Sequence, residues 1–251
     1  MMQVYRTLVR RELGAYFNSW LGYVVIAGAM FLMGLSFVVL LGNLRSEPMP
    51  VTLTELFFMT PFFWIILLLA CPVITMRSFA MERFSGTYES LMTTPVRDLE
   101  VVLSKFTAAM IFYVIMWLPL LACLFIVRHY TSNQGALDIG IVLCTYLGII
   151  LIGAVFISMG CLGSAITKSQ TVAAMIGLGL GTALFMASFM TDQFQALAPV
   201  PRDLMAGFSL VDQMHDFTRG VFDTRPVVFH LSLTFLFLFF TLRAIESRRW
   251  K

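Results

Sequence analysis

Between Arg77 and Lys105 the chain reads RSFAMERFSGTYESLMTTPVRDLEVVLSK, with four bases and four acids. Glu82, Arg83 and Glu89 are of a type that makes charge-assisted hydrogen bonds with a surface lying against them, and Tyr88 and Leu91 supply apolar anchors beside them. Gly86 breaks the stretch and Pro95 stops it, which leaves room for a short helix over 78–85 and another over 87–94. Asp98 is then placed to cap the helix that follows, its side chain accepting from free amides at the start. Two readings stand for the pair of helices. They present charges to a partner, or they lie on a surface with those charges merely solvated.

Elsewhere the chemistry is sparse. There is no H-E-x-x-H pair and no G-x-S-x-G elbow, and Gly163-Ser-Ala-Ile-Thr-Lys168 lacks the second glycine of a phosphate-cradling loop. With no ATP site of its own, a chain that moves something uphill must draw energy from another polypeptide. Cys71, Cys123, Cys144 and Cys161 form no C-x-x-C pair and read as packing thiols. His230 reads as an interfacial or packing histidine rather than a proton relay. Gly177 and Gly181 form a Gly-x-x-x-Gly pair, which admits close approach of a second backbone, from another subunit or from within the chain.

The elements that must carry these residues follow from composition. Of 251 residues, 59% are hydrophobic and 12% charged, against about 25% charged in soluble domains, so neither a soluble globule nor a disordered chain fits. The apolar residues come in long runs, unlike the alternating segments of a membrane β-barrel. Six windows hold no Asp, Glu, Lys or Arg: 20–42, 56–76, 106–127, 139–167, 172–190 and 226–242. Each is near the roughly 20 residues that cross a bilayer, and backbone groups in lipid must be satisfied within the segment, so each predicts a transmembrane helix. The fold class is all-α, a single polytopic domain over 1–251. The fourth window, with Gly148, Gly153, Gly160 and Gly163, is long enough to predict tilt, a kink or a protruding end.

An even number of crossings puts both termini on one side. Twelve Lys and Arg fall on that side and five on the other, so both termini are expected in the cytoplasm, with Arg77–Lys105 the largest cytoplasmic connection. The net charge of +3 is therefore an orientation signal and not a nucleic-acid footprint. The first apolar run is too long for a signal-peptide core, which predicts an uncleaved first helix. Residues 1–19 space Tyr5, Leu8, Val9, Leu13, Tyr16 and Phe17 three or four apart with Arg6, Arg10 and Arg11 between, as in an amphipathic helix among anionic headgroups; a plain basic flank is the alternative. The loop 191–225 is long for a structureless connection and predicts short helices over the external face.

Six spans, an amphipathic start and an elaborate loop between spans two and three resemble the permease subunit of a type-2 ABC exporter (ABC-2 type). The run from Val73 to Val96, with Met76-Arg77, then Ala80-Met-Glu82-Arg83, Gly86-Thr87 and Pro95-Val96, is similar to the family pattern and closest to the gliding-motility permease branch; it departs at Met81, where that branch often has a second acid. Arg11-Glu12-Leu13 with Tyr16-Phe17, and Phe217, Arg219-Gly220-Val221, Asp223 and Glu246 to Trp250, resemble the same branch. The resemblance implies that the segment after span two is a coupling helix seated on a cytoplasmic ABC ATPase dimer, with Glu82, Arg83, Gly86, Thr87, Tyr88, Glu89 and Leu91 in the contact. It implies a non-catalytic inner-membrane subunit binding no cofactor, with ATP and Mg on the ATPase, and a second six-span permease as homodimer or heterodimer partner. Membrane lipids and a periplasmic component complete the expected surroundings. The competing readings are an ion- or proton-coupled carrier, which needs ionisable groups within the spans, and a lipid-modifying membrane enzyme, which needs a compact acidic or histidine motif. Asp203, Asp212, Asp216 and Asp223 are too scattered to form one.

Overall fold

The computed structural model describes residues 2–44, 55, 57–58, 60–86, 97–130, 138–197 and 209–249. All regular structure among them is helical. In chain order the helices are α1 (Met2–Phe17), α2 (Trp20–Leu44), α3 (Pro61–Thr75), α4 (Ala80–Phe84), α5 (Asp98–Tyr130), α6 (Ile139–Ile166), α7 (Gln170–Leu197), α8 (Leu210–Thr218) and α9 (Thr224–Arg249). Six segments, built on α2, α3, α5, α6, α7 and α9, are long and apolar enough to cross a membrane. The protein is a polytopic all-α membrane protein.

Several helices run past their charge-free windows. The third span's helix starts at Asp98 rather than at Phe106, and the fifth runs on to Leu197. A window free of charge marks the part that suits lipid, whereas helical hydrogen bonding continues beyond it through good helix formers such as Leu99 and Glu100. Asp98 itself is the first residue of α5, and the carbonyl of Arg97 ahead of it accepts from the amides of Glu100 and Val101 (2.9 and 3.2 Å). The second span's helix starts at Pro61, after extended Thr60, because proline fits the first helical position, where its missing amide is no loss.

The fourth window forms one helix of 28 residues, α6, which sits at the centre and packs against α3, α5, α7, α8 and α9. Its glycines serve this packing. A Cβ on Gly153 would stand 2.2 Å from the Tyr113 ring of α5, and one on Gly160 would stand 2.0 Å from Thr75 Oγ1 of α3. Around this centre, Phe63, Ile66, Leu67, Phe112, Met116, Trp117 and Ile152 are sealed from solvent. Outer faces stay apolar, as on α9, where Val228, Leu231, Phe235 and Phe240 are exposed, as befits surfaces facing hydrocarbon.

The two ends of α6 receive different elements. Near its start, Phe217 of α8 packs on Gly148, and Thr145 Oγ1 lies 3.5 Å from the Phe217 carbonyl. Near its end, Ser164 meets α4. The 19 positions between Thr145 and Ser164 rise about 28 Å, close to the thickness of a hydrocarbon core. α4 and α8 therefore mark opposite faces of the bundle. Of the expected short helices, α4 falls within 78–85, and α8 falls within the 191–225 loop. The expected helix over 87–94 lies outside the described residues.

Candidate coupling site

α4 has five residues, too few to be stable on local hydrogen bonds, so its neighbours must hold it. Ser164 on α6 does so at the start: its Oγ accepts from the amides of Phe79 (3.0 Å) and Ala80 (3.1 Å) and lies 3.2 Å from the Met76 carbonyl. One hydroxyl thus satisfies amides that the turn between α3 and α4 leaves without helical partners. At the other end the Arg83 guanidinium donates to the carbonyl of Ala165, a cation on the C-terminal carbonyls of α6, where the helix dipole favours it. Gly86, at φ 72, takes the chain away in the left-handed region that a glycine enters without strain.

The third attachment is ionic. Glu82 Oε1 stands 2.9 Å from Lys105 Nζ of α5 and 3.1 Å from Arg11 Nη2 of α1. Glu12 Oε1 reaches the same two cations at 3.1 and 2.8 Å. These two acids and two bases thus join α1, α4 and α5. The Lys105 side chain is only 2% exposed, with the Phe79 ring centroid 5.4 Å from its ammonium, so it depends on both carboxylates. The hydrogen bond to Glu12, joined by the charges of Glu12 and Glu82, raises the Arg11 pKa against the lowering effect of burial.

Around the cluster, α1 is fastened along its length. Tyr5 Oη shares a hydrogen bond with Thr107 Oγ1 at 2.6 Å, and Tyr16 Oη donates to the Ile74 carbonyl at 3.2 Å, with Ser78 Oγ at 3.4 Å. Burial pushes the Tyr16 phenol well above its ordinary pKa. Tyr16 and Phe17 also stack and tilt against Phe112 of α5 at 5.1 and 5.5 Å. α1 is therefore docked on the bundle as well as amphipathic.

Of the residues singled out in sequence, Glu82 and Arg83 meet on α4 and are both engaged within the chain. Met81 and Phe84 are the α4 side chains that face outward, 43% and 78% exposed. Thr87, Tyr88, Glu89 and Leu91 lie outside the described residues. Gly177 and Gly181 are packed from within the chain: a Cβ on Gly177 would stand 3.4 Å from the Gly160 Cα, and one on Gly181 3.0 Å from the Phe156 ring. His230 is fully buried, its Nδ1 2.6 Å from the Pro226 carbonyl. On the opposite face, Glu55, 5% exposed, has Arg219 Nε and His215 Nε2 each 2.8 Å from its Oε1. Sequence reasoning did not find this group, nor the roles of Glu12, Lys105 and Ser164, since nothing in their local spacing marks them as partners.

What the arrangement does is fix α4 to three other helices. A family model described as ABC-2 family transporter protein matches residues 49–217. The chain belongs to the ABC-2 transporter family. The matched part of this ABC-2 protein takes in α3 to α7, the whole of 77–105 and nearly all of α8. With its six apolar helices it is a multi-pass membrane protein and the permease component of an ABC transporter. A search of curated proteins finds no match.

Proposed function

We propose that the chain forms half of an export pathway powered by a separate cytoplasmic ABC ATPase dimer, and that 77–105 is the segment on which the ATPase acts. Both termini and α4 then lie in the cytoplasm of an inner-membrane protein, ATP and Mg belong to the ATPase, and a second six-span permease, identical or related, completes the pathway. The observation that carries this reading is the way α4 is held. It is a short helix attached to α6 through Ser164 and Arg83 and to α1 and α5 through Glu82, with Met81 and Phe84 turned outward. A displacement of α4 would be passed to all three helices, because each attachment is polar and directional, and those through Ser164 and Lys105 are buried. The apolar pair Met81 and Phe84 supplies the contact; Gly86, Thr87, Tyr88, Glu89 and Leu91 extend it along the chain. Among family branches we place it nearest the gliding-motility permeases, on the motifs from Val73 to Val96 and Phe217 to Asp223, with a periplasmic component as the further partner.

The test is co-purification in mild detergent with the candidate ATPase, with Phe84→Asp as the variant. Phe84 touches none of the internal attachments, so membrane insertion is expected to persist while ATPase association falls about tenfold, the loss typical of an apolar interface anchor. Full association and full ATPase stimulation in Phe84→Asp and in Glu89→Lys together would remove the coupling reading. Charge reversal at Glu82 would be a poor probe, since it also breaks the cluster around Lys105.

A further inference from the structure

Beside the coupling site, and sharing Met81 and Glu82 with it, a partly open cavity of about 480 Å³ lies between α1, the start of α2, the end of α3, α4 and α5. Its size is within the roughly 300–1,000 Å³ of small-ligand sites. We propose that it binds an anionic phospholipid of the leaflet in which α1 lies, with the phosphate on Arg77 beside Ser19 and the first part of an acyl chain along Leu21, Val25 and Val73.

Charge comes first. Arg11, Arg77 and Lys105 line the cavity against two carboxylates, Glu12 and Glu82. Both carboxylates are taken up by Arg11 and Lys105. Arg77 is exposed and, among the described residues, has no carboxylate partner; its Nη1 donates to Ser19 Oγ at 2.9 Å. The cavity therefore carries one uncompensated positive charge, on a guanidinium whose remaining N–H groups form the fork that fits two phosphate oxygens. Ser19 adds a hydroxyl beside it.

Position selects a lipid over a soluble anion. Arg77 follows α3, which ends at Thr75, and Ser19 immediately precedes α2, so the polar side of the cavity lies at the ends of two spanning helices. Leu21 and Val25 of α2 and Val73 of α3 line the same cavity on the span side. A headgroup phosphate with its attached chain satisfies both parts, whereas a free phosphate leaves the apolar wall unused. Juxtamembrane arginines attract anionic lipid in general, and the wall adds a defined place for one molecule.

The experiment uses the full chain in detergent and reads bound lipid by native mass spectrometry and thermal stability. Dioleoyl phosphatidylglycerol and phosphatidylcholine are titrated separately, with glycerophosphate and inorganic phosphate as soluble arms. Phosphatidylglycerol is expected to bind about fivefold more tightly than phosphatidylcholine, the preference that one interfacial arginine provides. Arg77→Ala should weaken phosphatidylglycerol about fivefold, to near the phosphatidylcholine value, as expected for loss of the charge that sets the preference. Arg10→Ala, on the exposed face of α1, should change it far less, because Arg10 does not line this cavity. Equal binding of the two lipids, unchanged binding in Arg77→Ala, or an equal loss in Arg10→Ala overturns the site. Stabilisation by inorganic phosphate or glycerophosphate equal to that by phosphatidylglycerol overturns the lipid assignment in favour of a soluble anion. Should Arg77→Ala fail to fold, the lipid preference of the unaltered chain and of Arg77→Gln decides.

Discussion

Lys105 shows how much a single side chain can be asked to hold. Its ammonium lies almost entirely out of solvent, between carboxylates from α1 and α4. Burying a charge costs several kcal/mol unless partners replace the lost water, and here the two carboxylates do so. Lys105→Met keeps the apolar stem and removes the charge that both Glu12 and Glu82 face. We expect a loss of about 3 kcal/mol, the usual result of breaking a buried ion pair from one side. Thermal unfolding in detergent measures it, and adding Glu82→Gln to Lys105→Met should recover part of the loss; a variant as stable as the unaltered chain would mean the cluster is solvated after all. None of this was legible beforehand. The sequence shows Glu82 and Lys105 as charges of one loop, but Glu12 lies 93 positions from Lys105 and Arg11 71 from Glu82, and local spacing carries no information about such partners.

At the scale of elements, charge-free windows located the helices because lipid demands helical backbone wherever it demands apolar side chains. The helix ends were less legible, since outside lipid a helix continues for reasons of propensity and contact: α5 begins eight residues before its window so that Lys105 can reach α1. The glycines of α6 read as signs of tilt or a kink, yet their work is to admit neighbours. Gly160 makes this testable. A methyl there would stand 2.0 Å from Thr75 Oγ1, on a side chain already bonded back to the Cys71 carbonyl at 2.8 Å and fully buried. Gly160→Ala gains in helix propensity by about 1 kcal/mol, while overpacking costs about 1–3 kcal/mol. Because Thr75 has no empty side to move into, the clash is expected to win, with a net loss read as a lower melting temperature. Adding Thr75→Ala removes the atom that clashes hardest and should restore part of the stability; if Gly160→Ala is instead stabilising, α3 and α6 are further apart than their contact indicates.

For the whole molecule, the decisive property is which face of the bundle meets the compartment that holds ATP. One signal bears on it, and a second says which elements stand at the two ends. Lys and Arg divide twelve to five between the two sides, and α4 and α8 stand on opposite faces, about 28 Å apart along α6. Single cysteines test both at once. In a background where Cys71, Cys123, Cys144 and Cys161 are replaced by alanine or serine, Ser85→Cys sits at the exposed end of α4, and Phe222→Cys sits at an exposed position after α8. A membrane-impermeant maleimide applied to intact cells is expected to label position 222 and not 85, and in inside-out vesicles 85 and not 222. Labelling of both from one side would contradict the placement of α4 and α8 at opposite ends. The reverse pattern would leave the bundle intact and invert it, and it would turn α4 away from any cytoplasmic ATPase. The coupling reading would then fall even if every internal contact of α4 were correct, because a helix held by Ser164, Arg83 and Glu82 transmits force only from the side on which a nucleotide-driven partner can reach it.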